Sequence, residues 1–189
     1  MAMQAIINPT WKFKWALVSV ALFLWGGWCI YDYFVRYPEH DRVVARFREL
    51  QASGTMSEWP QIAAANGWST DDPGEPHADS DYWTQWSQLG LFWPCSAAAA
   101  WWLLSHVGKR IIADENHLIG PGGQQIPYGD ITSIDKTRWR SKGIAYIHYG
   151  PAEDEEFIKF DDWLYQDIDK VLHEVENRTG ITDTTTQTA

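Results

Sequence analysis

The chain is short of cysteine and of positive charge, and each shortage excludes a class of function. Its two cysteines, Cys29 and Cys95, both lie in apolar runs, so they form neither a disulfide framework nor the paired spacing of a metal site. The formal net charge is -10, whereas nonspecific nucleic-acid binding needs a basic face that releases counterions from phosphates. We therefore expect no nucleic-acid partner.

Motifs of catalysis and cofactor binding are also missing from the sequence. It contains no nucleophile elbow, no phosphate-binding loop and no zinc-binding helix, and Pro121-Gly122-Gly123 has the composition of a turn. We predict a protein that is not an enzyme, with no catalytic residue, cofactor-binding residue or metal ligand. The alternative is an enzyme whose pocket is built from scattered residues, which sequence spacing does not reveal.

What the chain has in excess is aromatic residues, with 13 Trp, 8 Tyr and 7 Phe, many of them close to two uncharged runs. The first run, Trp15 to Tyr31, reaches with the next four residues the ~20 residues that cross ~30 Å of hydrocarbon. It predicts a transmembrane helix over residues 15–35. A cleaved signal peptide with Lys12 and Lys14 as its basic start is the alternative, but no small-residue cleavage site follows.

The second uncharged run predicts another transmembrane helix over residues 88–107, with a buried helix of a soluble protein as the alternative. Small residues on the two runs allow the backbones to approach closely, and we predict helix packing at Gly26, Gly27, Ser96 and Ala100. Tryptophans at the ends of both runs are typical of residues at headgroup depth. They are Trp11, Trp15, Trp25 and Trp28 on the first run, and Trp83, Trp86, Trp93, Trp101 and Trp102 on or beside the second.

Two spans place both termini on one side of the membrane, and the nearest basic residues favour the cytoplasm. Lys12, Lys14, Lys109 and Arg110 flank the spans on the terminal side, although arginines in the loop at 36, 42, 46 and 48 balance them. We expect an integral protein of the bacterial inner membrane, with residues 1–14 as a cytoplasmic tail and residues 36–87 outside the cytoplasm.

The loop of residues 36–87 is predicted to contain two short amphipathic helices. Pro38 and Gly54 suit the first turn and the stop of one helix, and Ser57 and Gly67 suit the ends of the other. We expect the two to form a hairpin on the membrane surface with Trp59 and Trp68 toward lipid. The acidic segment 71–81 offers calcium ligands without their usual register, so a flexible solvated loop is the favoured interpretation.

After residue 107 the pattern changes to short alternating strands and turns, followed by one helix. The strands are RIIA, HLIG, QQIP, ITSID, GIAYIHYG and EFIKF, and the apolar residues Leu164, Ile168, Val171, Leu172 and Val175 then recur at helical spacing. We predict an α+β domain of antiparallel strands capped by a C-terminal helix over residues 108–178. A disordered tail is expected over residues 179–189.

The phrases RIIADENHLIG, QQIPYGDITSID and WRSKGIAYIHY, followed by the helix, resemble the bacterial pleckstrin-homology-like domains that follow a transmembrane hairpin. The resemblance covers residues 108–178 and depends on the apolar pattern around Ile126, Pro127, Tyr128 and Ile131. It implies a pleckstrin-homology-like fold and a binding or scaffolding role. The family supplies no catalytic residue.

Four basic residues and a tryptophan fall within seven positions of this domain, at the turn of a predicted hairpin. They are Lys136, Arg138, Trp139, Arg140 and Lys142, and they could contact anionic lipid headgroups at about 1 kcal/mol per cation. A solvated turn, paired with the acidic residues 153–156, is the alternative. The sequence thus favours an accessory or scaffold subunit that contacts lipid and other membrane proteins, with a lipid-headgroup sensor or lipid-handling accessory as the second hypothesis.

Overall fold

The structure is a computed structural model that describes residues 2–182. The chain divides into two compact units. One is helical and comprises residues 17–100, and the other combines residues up to 16 with those from 101 onward. The second unit therefore contains both ends of the chain, which the sequence did not predict.

The helical unit is dominated by one continuous helix over Pro9–Ser53, whose first residues belong to the other unit. Helix α1 (Pro9–Tyr31) passes through a π-helical turn (Asp32–Arg36) into helix α2 (Tyr37–Ser53). Gly54 ends it in the left-handed conformation at φ 75°, where a side chain would be strained. Helix α2 therefore continues the predicted span instead of following it after a break.

Within residues 2–182, Pro9–Ser53 is the one helix that is long and apolar enough to cross a membrane. The sequence predicted two spanning helices, and one helix of the described residues has the length and hydropathy of a span. The second predicted span, residues 88–107, lies within helix α4 (Asp79–His106), whose 28 residues include Pro94 and several tryptophans. Pro94, the tryptophans and the polar start of the helix lower the mean hydropathy of α4. Helix α4 is therefore not apolar enough to count as a spanning helix by the standard that α1 meets.

Helix α3 (Trp59–Asn66) folds back on α2, so both helices predicted in the loop are present. A small apolar cluster joins them, with Leu50, Trp59 and Ala63 buried and Trp68 packed at its edge. The Trp59 indole N–H donates to the carbonyl of Thr70 at 3.0 Å. The expectation that Trp59 faces lipid was wrong, because its ring is buried in the core of the hairpin.

The other unit is an α+β domain with two antiparallel sheets. The larger sheet has the order β4-β3-β2-β1-β8 and the smaller has the order β5-β6-β7. The strands are β1 (Met3–Ile7), β2 (Arg110–Ala113), β3 (His117–Ile119), β4 (Gln125–Pro127), β5 (Ile131–Asp135), β6 (Ile144–Tyr149), β7 (Glu156–Asp161) and β8 (Tyr165–Gln166). A short helix α5 (Trp139–Lys142) connects β5 to β6, and helix α6 (Ile168–Thr179) ends the domain.

Strand β1 corrects the predicted boundaries, because residues expected to form an N-terminal tail lie inside the larger sheet. It pairs with β2 in antiparallel register, with Ala5 opposite Ile111 and Ile6 opposite Arg110, and with β8 on its other side. Ala5 and Ile7 are buried in the core, as is Trp11 in the first turn of α1. The domain predicted over residues 108–178 is therefore incomplete without residues 3–7.

The six strands expected after residue 107 are all present as β2 to β7. Helix α6 buries Ile168, Val171, Leu172 and Val175, as their spacing predicted. It begins several residues later than expected, because β8 occupies residues 165–166. The predicted tail overlaps the end of α6 at Thr179, and its residues 183–189 lie outside the described part of the chain.

Candidate functional site

Within the helical unit, α1 and α4 pack antiparallel through small residues. The Ser96 hydroxyl donates to the Ser19 carbonyl at 2.8 Å, and the Ser19 hydroxyl donates to the Ser96 carbonyl at 3.1 Å. Because both residues are serine, the two helices share a reciprocal pair of hydrogen bonds at their closest approach. Such bonds join helices where no water competes for them.

The four predicted packing residues differ in what they contact. Ser96 lies in the interface, and Gly26 faces the ring of Trp93, where an added Cβ would come within 2.2 Å of a ring carbon. Ala100 is partly buried, and Gly27 has no neighbour within 4 Å of a would-be Cβ, so it faces away. Of the two adjacent glycines, which the sequence does not distinguish, Gly26 alone thus faces a side chain of α4.

A groove of about 660 Å³ opens between the two helices beside this interface. Its walls are mostly apolar, with Trp25 and Trp28 on α1, and its polar end is formed by Asp32, Gln85 and Gln88. Asp32 is 4 % exposed and lies 3.3 Å from the guanidinium group of Arg36, in the π-helical turn. This turn widens the helix at the point where the carboxylate is buried, a feature often found at functional positions.

Beyond the groove, polar side chains of α2 and α4 form a connected network. Gln85 donates to the Tyr37 hydroxyl at 2.7 Å, and the Tyr37 ring stacks on His77 with 3.8 Å between ring centroids. Tyr82 in the first turn of α4 donates to Asp41 Oδ2 at 2.7 Å. Asp41 is the centre of this network because it accepts bonds from three groups.

The most concentrated polar group of the helical unit comprises His40, Asp41 and His77. One ligand-type atom of each lies within 4.8 Å of the others. Asp41 Oδ1 accepts the His77 backbone N–H at 2.8 Å and lies 2.9 Å from His77 Nδ1. His40 Nδ1 approaches the same oxygen at 3.5 Å, while its Nε2 is 3.1 Å from the Pro73 carbonyl. We call these three residues the His-Asp-His cluster.

The surroundings of Asp41 strongly favour its ionised form. Partial burial alone would raise its pKa, but hydrogen bonds from the His77 backbone, Tyr82 and the His77 ring, with the His40 ring 3.5 Å away, outweigh that effect and lower the pKa to about 2. For Tyr82, burial and the bond to Asp41 raise the pKa to about 12, so its hydroxyl remains a donor. The cluster therefore has a permanent negative charge at its centre near neutral pH.

The acidic segment that was predicted to be flexible instead runs along α2 and is held at three points. Arg48 pairs with Glu75, the Pro73 carbonyl contacts His40, and His77 bonds to Asp41. In the sequence, His77 is grouped only with the neighbouring carboxylates of segment 71–81. Its real partners are 36 and 37 positions earlier, and the adjacent His40-Asp41 pair was the one signal that could have indicated them.

The predicted lipid-contact residues divide into two groups. Lys136 donates to Glu176 at 2.7 Å and Trp139 packs partly on the domain core, so both serve the fold. Arg138, Arg140 and Lys142 are exposed on and beside α5, and the part of the chain that the structure describes shows no ion pair for them. The acidic turn proposed as their partner instead contacts Thr132, His148 and Tyr149.

Comparisons with known proteins add no relative to this description. No protein-family model, no curated protein and no solved structure matches the chain.

Proposed function

We propose that the chain is a non-catalytic integral membrane protein, an accessory or scaffold subunit whose helices α1 and α4 cross the membrane together and hold an α+β binding domain at its surface. The observation that carries this proposal is the pairing of β1 with β2. Strand β1 immediately precedes the apolar helix, and β2 immediately follows α4. Two strands of one sheet must lie on the same side of a membrane.

That pairing supports a second crossing although α4 is less apolar than α1. If α1 crosses the membrane, the chain must return before β2, and α4 is the only helix described between Gly54 and Arg110 that is long enough. Its 28 residues extend about 42 Å at 1.5 Å per residue, more than the ~30 Å of hydrocarbon. Its polar Gln85 and Ser96 face inward, whereas Leu91, Trp101 and Leu104 are exposed.

The same observations argue against the two alternatives for α1. Only 11 % of the residues in its most apolar stretch are buried, whereas the core helix of a soluble protein is buried against neighbouring elements. Cleavage of a signal peptide would remove β1, which lies between β2 and β8, and would uncover both strands. An uncleaved membrane helix fits the exposed Phe23, Leu24 and Trp28 on its surface.

Single-cysteine labelling tests the topology in a variant whose two native cysteines are replaced by alanine. We expect Ser69→Cys to react with an impermeant thiol reagent outside intact cells, whereas Gln4→Cys and Ser141→Cys react only after permeabilisation. Labelling of Gln4→Cys and Ser141→Cys on opposite sides would contradict the paired crossing. Labelling of both from outside, with Ser69→Cys protected, would keep the paired crossing and reverse its orientation.

The rival function is recognition of lipid headgroups. It is favoured by Arg138, Arg140 and Lys142, which are exposed and form no ion pair with the residues that the structure describes. In the predicted pleckstrin-homology-like module these cations would meet the anionic cytoplasmic leaflet, within a Debye length of ~8 Å at physiological salt. The scaffold function is preferred because Lys136 and Trp139 are already engaged within the domain. Two of the five predicted lipid-contact residues thus contribute to the fold.

A soluble form of the domain separates these two functions. Ile6 pairs with Arg110, so Ile7 and Lys109 are the next opposite positions, and an Asn-Gly turn can replace residues 8–108 between them. We call this protein the domain chimera. Its flotation with neutral vesicles and with vesicles containing phosphatidylglycerol is measured at low and high salt.

A scaffold predicts no salt-sensitive preference of the domain chimera for the anionic vesicles. A lipid sensor predicts such a preference, weakened by Arg138→Gln with Arg140→Gln by roughly 2 kcal/mol at most. The matched control is Lys159→Gln with Lys170→Gln, which removes the same charge from cations already paired with Asp161 and Asp167. Equal loss in both double variants would indicate net charge instead of a lipid site.

A further inference from the structure

The His-Asp-His cluster is unusual because one of its nitrogen atoms has no hydrogen-bond partner. His40 Nε2 lies 3.1 Å from the carbonyl oxygen of Pro73, which can only accept, so Nε2 carries the ring proton. In the neutral ring, Nδ1 then presents a lone pair. That atom is buried and makes no hydrogen bond.

The group that His40 Nδ1 faces is itself an acceptor. Asp41 Oδ1 lies 3.5 Å away, beyond normal hydrogen-bond distance. A buried lone pair and a carboxylate oxygen that face each other repel unless a proton or a metal ion lies between them. Both atoms can therefore bind one cation, in a part of the chain outside the predicted spans.

The second histidine, His77, adds a third ligand from a different part of the sequence. His77 approaches the same carboxylate oxygen from the segment before α4, with Nδ1 at 2.9 Å. Its ring is held by stacking on Tyr37 at 3.8 Å and lies edge-on to His40 at 4.8 Å between centroids. Two imidazoles and one carboxylate therefore converge from α2 and from a segment 36 residues later.

The groups behind these ligands already have the arrangement that orients metal ligands in proteins. The Tyr82 hydroxyl fixes the second oxygen of Asp41 at 2.7 Å, and the Pro73 carbonyl fixes the tautomer of His40. Gln85 in turn holds the hydroxyl of Tyr37, the residue that supports His77. Each of the three ligands therefore has a partner that limits its rotation.

We infer that His40, Asp41 and His77 form a binding site for a divalent transition metal ion, with Zn²⁺ as the preferred ion. Nitrogen ligands with a single carboxylate suit Zn²⁺, whereas Ca²⁺ and Mg²⁺ need more oxygen ligands. Tetrahedral Zn²⁺ bonds of ~2.0–2.1 Å place ligand atoms roughly 3.4 Å apart. The ligand atoms here lie at most 4.8 Å apart, so side-chain shifts of up to roughly 1.4 Å would complete the coordination. Water would occupy the fourth position.

The experiment uses the full-length protein, purified in detergent through a tag without histidine and stripped of metal by a chelator. Co²⁺ and Zn²⁺ are then titrated in turn. We expect one Co²⁺ per chain with the intense visible absorption of tetrahedral coordination, displaced by one Zn²⁺. Absence of that spectrum, or a Zn²⁺ affinity no tighter than that of the His40→Gln/His77→Gln double variant, would overturn the site.

Variants separate a metal site from a purely structural network. His40→Gln or His77→Gln should each weaken Zn²⁺ binding by at least about 100-fold, and Tyr82→Phe, which removes a supporting bond, by about 10-fold. His173→Gln, on the exposed surface of α6, is the matched control and should bind as the parent does. Thermal unfolding in chelator checks each variant for folding. If Zn²⁺ raises the melting temperature of the parent and the His77→Gln variant equally, the cluster does not bind the metal.

Discussion

Single residues determine how closely the helices of the helical unit can approach. Gly26 and Gly27 are adjacent and chemically identical, yet only Gly26 faces Trp93. The stacked pair of Phe23 and Trp93, 5.8 Å between centroids and 7° between ring planes, covers the same stretch of the interface. Space on one side of a helix, not the residue type, decides which of the glycines is required.

Gly26→Ala should therefore destabilise the protein by about 1–3 kcal/mol, because the new Cβ would lie 2.2 Å from a carbon of the Trp93 ring and force it to move. Gly27→Ala is the matched control and should be neutral or slightly stabilising, since alanine favours the helix and nothing is within 4 Å. Thermal unfolding in detergent micelles measures both. Equal effects at the two positions would contradict the described helix packing.

Trp59 has a comparable role in the α2–α3 hairpin, where it is 2 % exposed. Trp59→Ala should cost about 3–5 kcal/mol locally, because it removes the largest ring of a small cluster. Trp59→Phe keeps most contacts and loses the bond to the Thr70 carbonyl, so about 1 kcal/mol is expected. Limited proteolysis should cut residues 54–78 readily in the alanine variant alone. Unchanged protection there would place Trp59 outside the hairpin core.

At the scale of elements, β1 is the strand that connects helix α1 to the domain. It has one neighbour, β2, that follows it by more than 100 residues, and another, β8, near the end of the domain. Asn8 continues this attachment, since its N–H donates to the Leu164 carbonyl at 2.9 Å. The start of α1 is therefore fixed to the domain by backbone hydrogen bonds and by buried Trp11.

Cross-linking tests that pairing directly. Gln4→Cys with Ile112→Cys should form a disulfide under mild oxidation of isolated membranes, because residues directly opposite in an antiparallel pair have Cα atoms ~4.5–5.5 Å apart. Gln4→Cys with Thr132→Cys, which lies on the other sheet, is the control and should remain reduced. Both pairs are made without the native cysteines. A disulfide in neither pair, or in both, would contradict the described register.

At the scale of the whole molecule, residues 8–108 are an insertion between two adjacent strands of one sheet. The insertion contains the two long helices, the α2–α3 hairpin and the His-Asp-His cluster. Each unit has its own buried cluster, which is expected of parts that fold around separate cores. A tight turn between Ile7 and Lys109 would close the sheet of the domain at its ends, with the loss of the buried Trp11 ring.

The domain chimera should therefore be soluble and show the circular dichroism of a mixed α and β protein. A matched protein that begins at Lys109 and lacks β1 should aggregate, because β2 and β8 would become open edges beside an uncovered core. Sedimentation and circular dichroism compare the two. Equal solubility and stability would show that β1 contributes little to the domain.

The amino-acid sequence by itself determined those features that depend on local pattern. Period-two alternation identified β2 to β7, helical spacing identified α6, and Gly54 and Gly67 marked the ends of α2 and α3. These predictions succeed because strands, helices and their caps depend on residues a few positions apart. The long apolar run of α1 is likewise a local property.

Only the tertiary structure decided the features that depend on distant partners. Strand β1 directly precedes the long apolar run and is separated by about 100 residues from the series of strands and turns, so its place between β2 and β8 follows from the sheet that receives it. Trp59 could face lipid or a core according to the pattern alone, and packing against α2 decided it. The His-Asp-His cluster joins residues 36 and 37 positions apart, because the segment before α4 folds back along α2. Local sequence patterns extend over a few positions only, so they do not reveal a contact between residues this far apart.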